Sequence, residues 1–337
     1  MTTLDTERPA FFRLRIRPYG LVTAAGAVAC VATVFGFCGR LAWFLDLFSH
    51  FRVQYFLALF MIAAAALALR QRKAAAVFGV FALVNACVIA PLYFGASPRA
   101  DSSAPRFRAV LLNVNTEHGD AERVAAFLQS VDPDVIVLEE VSEGWLADLG
   151  PALEAWPYSC REPREDNFGI ALYSRLPFTK AEVVYVCEPD VPTVVADIDA
   201  GDAGFTVIAT HPVPPANAAY ARWRNDQLGA LPALVESAAS PVLLLGDLNV
   251  TPWSHHFRRL LKRSGLRDSA RGHGVQATWP SHLVPLRIPI DHGLHADAIG
   301  IVDRTVGAPV GSDHLPLIVD FAVPSGRARG QADARAG

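Results

Sequence analysis

The sequence predicts an α/β fold: a four-layer α/β sandwich, two packed mixed sheets flanked by helices, preceded by three transmembrane helices. Three observations predict it. The first hundred residues hold three long runs without any Asp, Glu, Lys or Arg. The remainder mixes short β-branched runs with segments of helical spacing. Strand–helix units stand at both ends of a block of strands, an order that suits two sheets packed face to face with helices outside. Hydrophobic types make up 52% of the 337 residues, high for a purely soluble chain. The excess lies before residue 100, so the two parts are read separately.

Residues 1–18 form a basic N-terminal segment. The apolar runs are 19–39, 53–69 and 74–98, with 21, 17 and 25 residues. About 20 apolar residues cross the hydrocarbon. The second run is short, with Arg52 and Arg70 placed to snorkel from its ends. A buried hairpin plus a signal peptide is the competing reading, but no small-residue cleavage site follows the first run. Arg8, Arg13, Arg15 and Arg17 precede the first run, and Arg70, Arg72 and Lys73 separate the second from the third. This bias puts the N-terminus in the cytoplasm and, after three crossings, the rest of the chain outside. A multi-pass protein of the cell membrane with an extracytoplasmic domain is therefore expected. Outside, Cys160 and Cys187 would have the option of pairing, two separate buried thiols being the other reading. No CxxC or Cys/His cluster suggests zinc.

Residues 99–107 are polar and Pro-containing, a linker. The domain that follows spans 108–323. Strands are expected at 108–114, 134–138, 168–173, 181–187, 193–198, 205–210, 242–245 and 317–321. Helices are expected at 120–130, 143–153, 217–237 and 254–264. Residues 324–337, rich in Gly, Ala and Arg, read as a disordered tail.

Polar residues recur at the strand ends, where α/β folds place their sites. Asn113 and Asn115 close the first strand, Glu139 and Glu140 the second, His211 the 205–210 strand, and Asp247 and Asn249 the 242–245 strand. Asp291 and His292 follow residues 288–290, and Asp313 and His314 precede the last strand. Carboxylates and amides are hard oxygen ligands, suited to Mg²⁺ or Mn²⁺. The histidines suit contact with phosphoryl oxygens or proton exchange. There is no nucleophile elbow and no Gly-rich P-loop. The set fits metal-assisted attack of water on phosphorus.

Seven strings occur in one order: Leu-Asn-Val-Asn (112–115), Asp-Pro-Asp-Val-Ile-Val-Leu-Glu-Glu-Val (132–141), Gly-Ile-Ala-Leu-Tyr-Ser-Arg (169–175), Thr-His-Pro (210–212), Gly-Asp-Leu-Asn (246–249), Ile-Asp-His (290–292) and Ser-Asp-His (312–314). Together they resemble the endonuclease/exonuclease/phosphatase superfamily over residues 108–321. The resemblance implies roles. Glu140, Asn113 and Asp313 would serve the metal. His211 would contact the phosphate, and Asp247 would position or deprotonate the attacking water. Asn249 would hold the phosphate, Asp291 would orient His314, and His314 would stabilise the developing charge. Asn115, Tyr173 and Trp253 are assigned to substrate contact, core packing being an equal reading of Trp253. Glu139 stands where many members have Gln, which either tightens metal binding or raises a pKa. His255, His256, His273, His282, His292 and His295 read as structural.

Residues 109–337 carry 18 Lys and Arg against 29 Asp and Glu, a net of −11. Nucleic-acid binders neutralise phosphates with basic surfaces, so a nuclease is disfavoured. The one basic cluster, Arg258, Arg259, Lys262, Arg263 and Arg267, reads as a solvated helix face or as a contact for anionic lipid headgroups. The architecture, with Thr-His-Pro-Val-Pro-Pro (210–215) and Asn-Val-Thr-Pro-Trp-Ser (249–254), resembles bacterial membrane proteins of teicoplanin and vancomycin resistance. That resemblance implies a phosphoester substrate at the outer membrane face, such as a lipid-linked (undecaprenyl) pyrophosphate. An extracytoplasmic nuclease and a catalytically inactive, membrane-tethered binding protein stay open as alternatives.

Overall fold

The computed structural model describes residues 18–95 and 103–325. The expected N-terminal segment up to residue 17, linker residues 99–102 and tail residues 326–337 lie outside the described residues.

The N-terminal part is a bundle of α1 (Pro18–Phe35), α3 (Arg52–Ala68) and α4 (Arg72–Ile89), with a short helix α2 (Trp43–Leu47) in the hairpin between α1 and α3. Ala29, Cys30, Leu59, Phe78 and Ala82 form its core. The outer faces are apolar: Val28, Val31, Leu57, Phe60, Met61, Val80 and Leu83 are each at least half exposed. Three crossings were expected from the apolar runs. Among the described residues, one helix, Arg72–Leu92, is long and apolar enough to cross a membrane. The first run stops being helical at Phe35, after which the chain turns, and α3 is 17 residues long. Arg52 does not snorkel outward. It is buried inside the bundle, where its guanidinium donates to Thr33 O at 3.0 Å and to Asn85 Oδ1 at 3.3 Å.

The second part holds two six-stranded mixed sheets. The first contains β1 (Arg106–Asn113), β2 (Val135–Glu139), β3 (Tyr158–Glu162), β4 (Ile170–Ser174), β11 (Gly300–Val306) and β12 (Leu317–Ala322), in the order β11-β12-β1-β2-β4-β3. The second contains β5 (Phe178–Tyr185), β6 (Pro192–Ile198), β7 (Phe205–Thr210), β8 (Val242–Asp247), β9 (Arg267–Asp268) and β10 (Asp291–His295), in the order β5-β6-β7-β8-β10-β9. Alternation of side chains across each strand gives every sheet two apolar faces. Leu111, Val137 and Leu172 meet Val194, Val207 and Leu245 between the sheets. On the outer face of the first sheet, Leu112 and Leu138 pack on α5 (Ala121–Val131) and α6 (Glu143–Leu153). On the other side, Ile208 and Leu244 pack on α7 (Ala218–Ser237) and α8 (His255–Ser264). The result is the four-layer sandwich that the order of elements predicts.

Helix ends follow local chemistry. Asp120, Ser142, Asn217 and Ser254 each accept a backbone N–H at the start of α5, α6, α7 and α8, and Gly265 ends α8 in the left-handed region. Four strands had no signal in the sequence. β3 is an edge strand with largely exposed side chains, β9 has two residues, and β10 and β11 are built from mixed polar sequence. Residues 288–290 lie outside the strands, with an isolated bridge from Ile288 to Trp279, and β10 begins at Asp291 itself.

The bundle and the sandwich are fastened together. Leu92 O accepts the N–H groups of Gly272 and Gly274 at 2.8 and 2.9 Å. Gln54 Nε2 donates to Arg287 O at 2.9 Å, and Ile89 and Leu92 pack on Trp253 and Ala270.

Candidate active site

The site lies at one end of the two sheets, and strand register assembles it. Asn113 and Glu139 are partners across β1 and β2, which end together. Asp291 and Asp247 are partners across β10 and β8. His211 follows β7, and Asp313 and His314 precede β12. Residues from both sheets therefore converge on one cleft of about 650 Å³, lined at its polar end by Glu140, His211, Asp247, Asn249, Asp313 and His314.

Three clusters of contacts hold these side chains. In the first, Asn113 Nδ2 donates to Glu140 Oε1 at 2.7 Å, and Glu140 itself adopts φ +60. A non-glycine residue holds that conformation only where its surroundings impose it. In the second, Asn115 Nδ2 donates to Asp313 Oδ1 at 2.7 Å and Trp279 Nε1 donates to Asp313 Oδ2 at 2.9 Å, so both carboxylate oxygens are aimed. In the third, Asp291 lies 3.0 and 3.2 Å from His314 Nδ1, and His314 Nε2 lies 3.6 Å from Asp247 Oδ2. His211 joins the first and third clusters, with Nε2 3.5 Å from Glu140 Oε1 and Nδ1 3.7 Å from Asp247 Oδ2.

Burial and charge act together here. Burial alone would lower the imidazoles of His211 and His314, but the carboxylates around them win. His211 is held up at about 10 by Glu140, Glu139 and Asp247, and His314 at about 10 by Asp291 and Asp247. Burial pushes Asp247 up to about 6, against the pull of His314 and His211. Glu139 does not turn toward the cleft beside Glu140. It is fully buried, accepts the Asp247 N–H at 3.0 and 3.2 Å, and burial raises its carboxyl well above the usual range.

The donor set fits a hard divalent cation. Glu140 and Asp313 present carboxylate oxygens to the same cleft, and Asn113 and Asn115 orient them. A second group, Asp247, Asp291 and His314, has ligand atoms within 4.8 Å of one another. Within it His314 Nδ1 already bonds Asp291, and its Nε2 lies 3.6 Å from Asp247, as in a charge network.

Two sequence-assigned contacts lie elsewhere. Tyr173, on β4, points into the core beneath α6 because strand alternation turns it away from the cleft. Trp253 is buried against Ile89 and Leu92 of the bundle. Trp279 is the tryptophan that lines the cleft. Cys160 and Cys187 are free thiols. Sequence reasoning also missed Leu47, His50 and Phe51, which come from the α1–α3 hairpin and line the cleft. No motif marks them, since they reach the site only through tertiary docking.

Residues 110–314 match the model of the Endonuclease/Exonuclease/phosphatase family. The chain belongs to the endonuclease/exonuclease/phosphatase family. As a member of this family it is a metal-dependent hydrolase acting on phosphoester bonds. No curated protein matches the chain. Among solved structures, the endonuclease/exonuclease/phosphatase from Beutenbergia cavernae is 22% identical over 65% of this chain and 72% of its own, with a TM-score of 0.52. TDP2 from D. rerio, complexed with a single-strand DNA product, is 16% identical over 66% of this chain and 100% of its own, at 0.57. The 3′ phosphatase NExo from Neisseria, bound to a product DNA hairpin, is 19% identical over 64% and 99%, at 0.53. These likenesses show the family fold. The resemblance to membrane proteins of glycopeptide resistance finds no support in these comparisons.

Proposed function

We propose that this family member is a membrane-anchored phosphoesterase that uses Mg²⁺ or Mn²⁺ to hydrolyse a phosphodiester or pyrophosphate bond, with a lipid-linked cell-envelope molecule as substrate. The observation that carries the reading is the convergence of Glu140, His211, Asp247, Asn249, Asp313 and His314 on one cleft.

Glu140, Asn113 and Asp313 would hold the cation, which withdraws charge from the scissile phosphate. Asp247, raised by burial to about 6, is poised to take a proton from the attacking water near neutral pH. Asn249 sits at φ +50 with one amide N–H given to Pro212 O at 2.9 Å, which leaves the second N–H for a phosphoryl oxygen. His314, oriented by Asp291, and His211 present charged N–H groups where negative charge develops.

Membrane anchoring is supported by the apolar outer faces of α1, α3 and α4, which a soluble protein would cover. The positive-inside bias of the sequence supports an extracytoplasmic catalytic part. The −11 net charge of residues 109–337 favours a lipid-linked substrate over nucleic acid. A nuclease is the second reading, favoured by the two neighbours whose structures hold DNA products. The test is phosphate release from an undecaprenyl pyrophosphate by the full chain in detergent with Mg²⁺, alongside single- and double-stranded DNA and an Asp247→Ala control. Turnover of DNA with none of the lipid would overturn the lipid assignment, and no metal-dependent turnover of any phosphoester would overturn the whole reading.

A further inference from the structure

The lining of the cleft is of two kinds. Beside its carboxylates and imidazoles, the hairpin residues Leu47 and Phe51 line it together with Pro214, Pro215, Ile288 and Ile290. Among the described residues that line the cleft there is no Lys or Arg. A substrate with several phosphates, such as a nucleic acid strand, is held mainly by contacts from such cations to its backbone. A phosphate carrying one hydrocarbon substituent needs none of them, and would gain from the apolar wall.

The hairpin is a built part of this wall. Asp46 is buried and accepts from Ser254 Oγ at 2.7 and 3.0 Å and from Arg224 Nη2 at 3.1 Å. Four residues on, His50 Nδ1 meets Thr251 Oγ1 at 3.0 Å. Leu47 and Phe51 flank His50 and are themselves only half-buried, which leaves surface to offer a ligand. A second apolar groove lies on the bundle. Two residues after Phe51, Val53 lines this groove between α3 and α4 together with Phe56, Leu57 and Phe94, and Phe94 is 88% exposed. That groove offers an apolar surface along the face that the bundle would turn toward lipid.

We infer that the α1–α3 hairpin is the specificity wall of the site, with Leu47 and Phe51 holding the hydrocarbon segment next to the scissile phosphate of a membrane lipid. This rests on the phosphoesterase reading above and adds where the lipid chain binds. Leu47 and Phe51 are specificity-determining residues.

The test uses the full chain in detergent with Mn²⁺ and water-soluble p-nitrophenyl alkyl phosphodiesters carrying methyl, butyl or hexyl groups. Each methylene moved out of water contributes a factor of roughly four when fully buried. The expected result is a rise in kcat/KM of at least about tenfold from methyl to hexyl, allowing for partial burial. Phe51→Ser and Leu47→Ser should flatten that gradient, and Phe51→Leu should keep most of it, which a general folding defect would not do. Turnover with a flat gradient in the wild type, or a gradient unchanged in both serine variants, overturns the inference and leaves the phosphoesterase reading standing. No turnover of any ester overturns both. Faster cleavage of a single-stranded oligonucleotide than of the hexyl ester also overturns the inference.

Discussion

Arg224 of α7 and Asp46 of the α1–α3 hairpin form an ion pair at 3.1 Å with both side chains 1% exposed. The same guanidinium donates to Asn249 O at 2.7 Å. One arginine therefore ties the helical bundle to the backbone of a residue assigned to the phosphate. Removing one member of a buried pair strands the other charge, at about 3–5 kcal/mol. Asp46→Ala should lower the unfolding temperature of the full chain in detergent and raise KM. The double variant Asp46→Asn with Arg224→Gln should be less destabilised than Asp46→Ala, because no charge is left unpaired.

The hairpin should loosen in acid. Burial holds His50 down at about 4, against the pull of Asp46 and with the push of Arg224. Above pH 6.5 the imidazole is neutral whether docked or undocked, so its docking stability is complete there. Between 6.5 and about 4 the undocked form binds the proton more readily, so stability is lost as pH falls through this window. At pH 5 the loss is at most about 2 kcal/mol. The protection factors of the amides in residues 43–51, exchange measured against the intrinsic rate at each pH, should fall between pH 7 and pH 5, and His50→Asn should blunt the change. Equal protection factors at both pH values would contradict it.

Metal affinity should depend on Asn113, although its amide need not touch the ion. Asn113 aims Glu140 through a 2.7 Å hydrogen bond. Loss of such an orienting contact typically weakens metal binding by about 10–100-fold. Asn113→Ala should show that loss in calorimetric titration with Mn²⁺. EDTA should abolish turnover, and Mg²⁺ or Mn²⁺ should restore it.

Asp291→Asn should leave the fold intact and lower kcat by about 10²–10⁴, the usual range for disturbing a positioned acid–base group. The side chain keeps its shape, but the charge that holds His314 protonated is gone. Circular dichroism and the unfolding temperature would check the fold while stopped assays give kcat.

Gly246→Ala tests the register that brings the two sheets' residues together. A Cβ on Gly246 would stand 1.9 Å from Thr210 O and 3.2 Å from Glu139 Oε1. Backbone oxygen cannot yield without breaking the β7–β8 ladder, so a loss of at least about 3 kcal/mol is expected. The yield of folded protein and its urea midpoint measure it.

Most of the polar end of the site was legible because its residues sit in short strings at strand ends. Asn113, Glu140, His211, Asp247, Asn249, Asp313 and His314 are each fixed by their own strand or the turn beside it, and that local frame is written in consecutive residues. Tyr173 was misplaced because a period of two decides which face a strand residue takes, and the motif gives no phase. Trp253 stayed open between substrate contact and core packing because its partners, Ile89 and Leu92, come from the helical bundle.

The sequence by itself determined the two-part organisation, the four-layer order of the second part and the hard-ligand character of its site. These follow from local periodicity, from composition and from residues near one another in the chain. Only the tertiary structure decided how the bundle meets the sandwich. The contacts of Asp46 with Arg224 and Ser254, and of His50 with Thr251, join residues about 200 positions apart. Such pairs are chosen by shape and by the need to satisfy buried charge, and neither leaves a local pattern. Through them, a hairpin that reads in the sequence as a loop between two apolar runs becomes a wall of the catalytic cleft.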